Sequence, residues 1–444
     1  MSSMNKLSPL GQLLRDKLNA TNSVGTSVKA ISPEKQLMRL TLASMLWEKQ
    51  FYLDGKEQAE LIGDLVKKVN PAVTSALAVT ARDKFKLRHI PLLLTRELAR
   101  HGKLKSEFLT AVIQRPDEMS EFLSIYWKDG KTPLSNQVKK GLANAFVKFN
   151  EYQLAKWDKN SAAISLRDVM FLTHAKPQNV AQEALFKKVA NQELTTPDTW
   201  ETQLSAGADK KETFTRLLAE KKLGALAFLR NLRNMAQAGV SEQAVREYAN
   251  TVDVSKVLPF RYIAAARIVP QFEDMLEAMM LRSLGSLEKL PGKTILMVDV
   301  SGSMFGTKIS EKSDLDRFDA AAALAMLCKE VCENVEIYTF SYGAVRVAPR
   351  SGFALRDALS KSQAHGGTQL GNSLRQIDTS KADRIIVFTD EQSHDRPKAP
   401  GLGTNGYIVN VAGHQNGINH DSWTTITGFS EAIVDYIRES EKAA

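Results

Sequence analysis

Thr294-Ile-Leu-Met-Val-Asp-Val-Ser-Gly-Ser-Met304 reads as a strand that runs into a turn. Thr294 to Val298 are all apolar or β-branched, and Ser301-Gly302-Ser303 breaks the run. A short continuous apolar run bounded by turn residues is the pattern of a strand buried on both faces, as in a parallel sheet. Asp299 then emerges at the carboxyl end, where open α/β sheets place their ligands. Asp299, Ser301 and Ser303 set a carboxylate and two hydroxyls on alternate residues of one tight turn. Hard oxygens converging this way suit a hard divalent cation such as Mg²⁺. Taken alone, an ordinary strand with a Ser/Gly turn explains these residues equally well.

Two downstream segments shift that balance. His365-Gly-Gly-Thr368 is a glycine-rich loop ending in a hydroxyl, and Ile385-Ile-Val-Phe-Thr-Asp390 is a second apolar strand ending in an acid. With Thr368 and Asp390 added, five oxygen-bearing residues fall at loops that a doubly wound sheet brings together. The set Asp299, Ser301, Ser303, Thr368 and Asp390 resembles the metal-ion-dependent adhesion site of the von Willebrand factor A domain, over roughly Gly292 to Ser440. That resemblance implies a Rossmann-type α/β fold and a bound divalent metal ion, Mg²⁺ by preference. It also implies an open coordination position for a partner's carboxylate, so this half would be a binding module.

A chain of 444 residues fits two or three domains. The two cysteines, Cys328 and Cys332, fall four apart on an expected helix. A bridge between them would be strained, and small core residues are the better reading. With no disulfide framework the default is a reducing, cytoplasmic setting. Neither a signal-peptide core nor an apolar run of membrane-spanning length occurs, so no membrane partner is expected. The net charge of +9 is unevenly placed: from Pro291 on, 16 Lys and Arg face 19 Asp and Glu, which leaves +12 on residues 1–290. Such a basic part suits a polyanionic partner, although lysine-rich solvated helix faces produce the same excess.

Residues 1–30, rich in Ser, Asn and Thr, read as a loosely attached arm with one amphipathic run from Leu10 to Leu18. From Pro33 to about Arg282 the periodicity is helical. Helices fit Lys56–Val69, Leu92–Arg100, Ser106–Ile113, Asp117–Tyr126, Leu134–Phe149, Ile164–Thr173, Val180–Val189, Lys211–Glu220, Ala225–Ala236, Glu242–Ala249 and Phe272–Leu284. Breaks fall at Pro71, Pro116, Gly130, Pro133, Pro177, Pro197, Gly207, Gly239 and Pro259. Helix, short breaker and helix in succession suggest stacked pairs of the HEAT kind. Leu290-Pro-Gly292 marks the expected junction between residues 1–290 and 291–444. Beyond it, strands at Thr294–Val300, Val335–Phe340, Val345–Ala348, Arg384–Thr389 and Gly406–Val411 alternate with helices at Arg317–Val331, Ala354–Ser360, Gln369–Ile377 and Ser430–Glu439, the order of βαβ units.

Three helical segments carry a second resemblance. Leu166-Arg-Asp-Val-Met-Phe-Leu-Thr-His-Ala-Lys-Pro177 resembles the helix ending in (Ser/Thr)-His-x-Lys-Pro of the TROVE module. Asp198-Thr-Trp-Glu-Thr-Gln-Leu204 and Gly224-Ala-Leu-Ala-Phe-Leu-Arg-Asn-Leu-Arg-Asn-Met235 resemble later segments of the same module in the same order. With an A-type domain following, the chain is similar to the Ro autoantigen family and its bacterial orthologues. The resemblance implies a ring of helical repeats that binds small structured noncoding RNA of the Y type and single-stranded RNA 3′ ends. A role in noncoding-RNA quality control or decay follows from it, with RNA presented to an exoribonuclease.

The residues point the same way less sharply. Arg167, Phe171 and His174 fall at helical spacing on one face, with His174 and Lys176 placed in the last turn, where the helix dipole favours cations. Arg167, His174 and Lys176 could grip phosphates or stack on an unpaired base; a capping histidine beside solvated cations is the alternative. Lys84 and Arg88, with Arg82, Lys86, His89 and Phe85, form a second basic and aromatic cluster. Arg230, with Arg233, is a third candidate, against a structural ion pair. The five tryptophans read as packing residues. There is no phosphate-cradle motif, no zinc spacing and no nucleophile elbow with a triad, so no enzyme is expected. The runner-up reading is a metal-dependent interaction adaptor, such as a partner of a ring ATPase.

Overall fold

The computed structural model describes residues 32–43, 55–83, 86–158, 163–255, 257, 259–285, 287–309, 315–390, 393–411, 423–427 and 433–442. The expected arm 1–30, Trp47, Lys84 and Phe85 lie outside them. A helix-rich region is followed by a six-stranded mixed sheet with helices. Contacts divide the chain into two compact units, one built from Pro33–Leu42 and Lys56–Leu223, the other from Gly224 onward.

The first unit is helical throughout. Its most enclosed helix is His89–Arg100, in which every residue from Ile90 to Ala99 is buried. Pro71–Asp83 packs on it, and Ser106–Val112 packs on Asn136–Phe146. A Cβ at Gly141 would stand 3.0 Å from Leu109 and from the Ser106 carbonyl oxygen. The missing side chain therefore lets these two helices close until Thr110 Oγ1 donates to the Gly141 carbonyl at 3.0 Å.

The expected helix Leu134–Phe149 is observed as Asn136–Phe146, and a further helix outside the expected set, Glu151–Trp157, follows it. The Asn150 side chain accepts from Gln153 N and Gln153 reaches back to Asn150 N, a capping box that starts the second helix. Its first residue also fastens it to its neighbours. The Glu151 carboxylate accepts from Lys188 Nζ at 2.8 Å, from Thr195 Oγ1 at 2.8 Å and from Thr195 N at 3.1 Å. The Lys188 contact, then the two from Thr195, hold the Glu151 carboxyl down to about 2. A depressed acid adds stability above its unfolded value, about 4.3, and loses it as pH falls through the folded one. Glu151 is a third exposed, so its contribution is under about 1 kcal/mol. Glu151→Gln should be slightly less stable than wild type at neutral pH, and urea unfolding curves of the two should converge as pH falls from about 4 to about 2. A gap that persists at the acid end would show that the carboxylate's charge is not what counts.

In the second unit the strands run β1 Leu290–Asp299, β2 Cys332–Phe340, β3 Ala344–Val347, β4 Arg384–Thr389, β5 Asn405–Asn410 and β6 Thr424–Thr427. The spatial order is β3-β2-β1-β4-β5-β6. All pairs are parallel except β2 with β3. This is the doubly wound order, and it reverses between β1 and β4, the position at which such sheets hold ligands. β4 is buried at every position, and β1 from Thr294 to Asp299. Helix Arg317–Val331, with an almost continuous buried face from Phe318 to Cys328, covers the sheet. Cys332 opens β2 instead of sharing that helix with Cys328, and both cysteines are free and buried.

Helices Ala225–Gln237, Glu242–Thr251, Pro259–Ile268 and Glu273–Leu284 belong to this same unit. The expected junction at Leu290-Pro-Gly292 is thus where the sheet begins, while the contact division falls at Leu223. Polar clamps join these helices to the α/β layer. Glu277 Oε1 accepts from Phe353 N at 2.7 Å at the start of helix Phe353–Ser360. Asp319, fully buried, pairs with both Arg267 and Arg356. Two guanidiniums on one carboxylate offset a desolvation cost that one partner alone would leave partly uncompensated.

Candidate functional site

The segment read for nucleic acid sits in the helical unit. Helix Leu166–Thr173 starts at a capping box between Ser165 and Asp168 and buries Leu166, Val169, Met170 and Thr173. Arg167 and Phe171 are left on the outer face, with Phe171 53% exposed. The Arg167 guanidinium lies 5.7 Å from the Phe171 ring centroid. His174 is not in the last helical turn, as the spacing suggests. It is the C-cap, with φ 52° and ψ 43°, and its backbone turns the chain out of the helix. The left-handed conformation is costly for a side chain with a Cβ, so the imidazole is held outward at a strained corner. Lys176, beyond the turn, is exposed as well.

Phe171 and His174 line a groove of about 870 Å³ together with Trp127, Lys131 and Lys139, while Arg167 and Lys176 are not among its lining residues. Lys131 Nζ sits 5.4 Å from the Trp127 ring centroid, and the indole N–H donates to the Thr132 carbonyl at 2.7 Å, which fixes the ring. Trp127, a packing residue by its sequence, is a half-buried wall of this groove. Lys131 and Lys139 are absent from the sequence-derived candidates. The turn Gly130-Lys-Thr-Pro133 is the available signal, and it reads as a breaker. Aromatic faces interleaved with ammonium, guanidinium and imidazole groups are what unpaired bases and phosphates require. Asp168 at the groove opposes this, with its carboxyl held below the ordinary range by Ser165.

The second basic cluster resolves differently. Arg82 is buried and donates to Glu118 at 2.6 Å. Arg88 meets Asp117 at 2.6 Å and Glu121 at 2.9 Å. Arg82, Arg88 and His89 are matched by acids of helix Asp117–Tyr126, so Arg88 serves packing between helices. Arg230 and Arg233 are exposed on helix Ala225–Gln237 of the other unit, without an ion pair among the described residues.

Asp299 and Asp390, with the Ser301–Ser303 turn, lie at the sheet's reversal point. Pairing of β1 with β4 sets Val298 opposite Phe388, so Asp299 and Asp390 leave adjacent strand ends. Both are fully buried. Asp299 accepts from Ser301 N at 2.8 Å and from Thr389 Oγ1 at 2.7 Å. Ser301 Oγ and Ser303 Oγ lie 3.3 Å apart. Gly302 N donates to the Gly366 carbonyl at 3.1 Å, which draws the glycine loop and Thr368 onto the turn. A Cβ at Gly366 would meet the Tyr342 ring at 2.0 Å, so the loop passes only as glycine. Burial, then the neighbouring Asp390, pushes the Asp299 carboxyl up to about 7. Two buried acids on adjacent strand ends, flanked by three hydroxyls, are a donor set that fits a hard divalent cation. No three His, Cys, Asp or Glu side chains form a metal-holding group among the described residues, so a cation here would rest on two carboxylates and hydroxyls. Two further residues take part here. Thr389 orients Asp299, and Arg317 donates to Asp390 Oδ2 at 3.0 Å.

The TROVE domain model matches residues 190–317. That span holds two of the three quoted segments, while Leu166–Pro177 precedes it. The crystal structure of the Deinococcus radiodurans Ro (RSR) protein superposes with a TM-score of 0.66 at 20% identity, covering 91% of this chain and 98% of that one. An aerotolerance-related membrane protein from Bacteroides fragilis, bearing multiple mutations to serines, aligns over 34% of this chain and 88% of its own at 19% identity. Its TM-score of 0.23 carries no argument. Among the described residues no helix is long and apolar enough to cross a membrane.

Proposed function

We propose that this chain, a relative of the bacterial Ro proteins by its TROVE segment and by its fold, is an RNA-binding scaffold. It takes small structured noncoding RNA and single-stranded RNA 3′ ends. The observation that carries this reading is the groove at His174, where Phe171 and Trp127 offer stacking faces among Lys131, Lys139 and His174, with Arg167 beside the Phe171 ring. Arg167 and Lys176 neutralise phosphates, and an unpaired base stacks on Phe171. No step of bond making or breaking is assigned to the chain. It would hold cytoplasmic RNA for quality control or decay and present it to an exoribonuclease.

Asp299, Ser301, Ser303, Thr368 and Asp390 would hold a divalent cation such as Mg²⁺. When bound, that ion supplies a Lewis-acidic contact for a carboxylate of a protein partner. Ser301 N and Thr389 Oγ1 fix the Asp299 carboxylate in place for it.

Titration with a hairpin RNA bearing a single-stranded 3′ tail should show one binding event that weakens steeply with salt. The slope of log affinity on log salt should be about −0.7 for each phosphate neutralised on the single-stranded part. Absence of binding at low salt, or equal affinity for a neutral-backbone analogue, would remove the RNA reading.

A further inference from the structure

We propose that Arg317 is a tethered counter-cation of the Asp299–Asp390 site, one that a divalent ion must displace in order to bind. The inference rests on the cation reading of that site. Arg317 is the first residue of helix Arg317–Val331, and its guanidinium reaches back into the cluster. One nitrogen, Nη1, donates to Asp390 Oδ2 at 3.0 Å and to the Ser303 carbonyl at 3.3 Å. It therefore bridges two of the five residues that would hold the ion. Guanidinium keeps its charge at any working pH and carries no lone pair for a metal. It can neutralise these acids but cannot share them with a second cation at close range, because like charges in a buried place repel strongly.

The geometry allows the exchange. The backbone at Arg317 is pinned: its N–H donates to the Thr307 carbonyl at 3.1 Å, and Asp316 caps the helix by accepting from Asp319 N at 2.8 Å. Asp319 is in turn clamped by Arg267 and Arg356. Among the described residues, the polar anchors of the long side chain are Asp390 and Ser303. It is 13% exposed where Asp390 is fully buried. A swing of the guanidinium toward solvent withdraws its charge from Asp390 Oδ2 without moving the helix. Ion affinity at this site is then the affinity of the oxygens minus the cost of expelling Arg317, and binding places a cationic side chain at the rim.

Mn²⁺ serves as the probe, counted as bound ion by electron paramagnetic resonance and by calorimetry on the full chain. Arg317→Gln should bind one Mn²⁺ at least tenfold more tightly than wild type, about 1.4 kcal/mol. The same variant should melt lower than wild type in chelator and recover with Mn²⁺. Arg317→Lys, which keeps the charge on a shorter side chain, should fall between and guards against misfolding of the glutamine variant. Asp390→Asn should bind no Mn²⁺. Equal or weaker binding by Arg317→Gln, or by Arg317→Lys where the former does not fold, with wild type still binding, overturns the role of Arg317 and leaves the cation site standing. Absence of Mn²⁺ from wild type and from both Arg317 variants overturns the site and this inference together.

Discussion

His174→Gly should leave the protein as stable as wild type, or more so, while costing about fivefold to a hundredfold in RNA affinity. The two halves of that expectation come from different atoms of one residue. The backbone of His174 sits at φ 52° and ψ 43°, where its amide closes the helix by donating to carbonyls at Met170 and Phe171. Glycine adopts that conformation without steric penalty and is the residue most often found there. Relief of strain is worth about 1 kcal/mol, set against the greater freedom glycine gives the unfolded chain. The imidazole, in contrast, is exposed at the groove with Lys139 and Phe171, where it does not hold the fold. Loss of one stacking or phosphate contact costs about 1–3 kcal/mol. Urea unfolding and a salt-controlled gel-shift titration measure the two halves separately. His174→Ala should lose RNA affinity to the same degree but also lose stability relative to the glycine variant, because alanine keeps the strain and gives nothing back. If His174→Gly binds RNA as wild type does, His174 is a helix cap and the groove is not where the RNA goes.

The sheet is readable because each of its buried strands has one interpretation. Thr294–Val298 and Ile385–Phe388 are too short and too β-branched for helices, and each leads to an acid followed by turn or polar residues. β6, Thr424–Thr427, has no such signal, since alternating threonines at an edge resemble a loop. Proline misleads in one place and not in another. Asn70-Pro71 reads as both a stop and a start, whereas Pro259 reads only as a break, although it opens helix Pro259–Ile268. That helix buries residues on several sides and so lacks a one-sided apolar stripe. Short helices Glu151–Trp157 and Trp200–Ser205 also escape the periodicity, though each begins with a capping box that the sequence displays.

The candidate sites divide along the same line. Asp299, Ser301, Ser303, Thr368 and Asp390 are identifiable because strand ends and tight loops fix where those side chains emerge. Whether Arg88 faces solvent or an acid depends on Asp117 and Glu121, which lie about thirty positions away and meet it only through packing. Arg317 is invisible for that reason too, since its partner is 73 residues distant. Trp127 looks like any core tryptophan until the turn after it leaves one edge of the ring facing a groove.

Asp299→Asn should abolish the rise in melting temperature that Mg²⁺ or Mn²⁺ gives wild type, and should raise the melting temperature measured in chelator. The first effect follows from linkage: an ion at one hundred times its dissociation constant stabilises by about 2.7 kcal/mol, or roughly 5–10 °C for a unit of this size. An amide in place of the carboxylate removes the charge that holds the ion but keeps the shape. The surroundings need not change, since an amide oxygen still accepts from Ser301 N and an amide N–H can donate to Thr389 Oγ1, which reverses its role. The second effect follows from burial. Asp299 is fully enclosed and faces Asp390, so ionising it without a cation works against folding, and a neutral isostere escapes that cost. A variant that merely damages the fold would lower the melting temperature under both conditions, so opposite movement in chelator and in Mg²⁺ isolates the charge. If Asp299→Asn retains the shift, or if neither wild type nor the Arg317 variants show one with either ion, the two acids do not hold a cation, and the Arg317 guanidinium at Asp390 is a permanent partner instead of a placeholder.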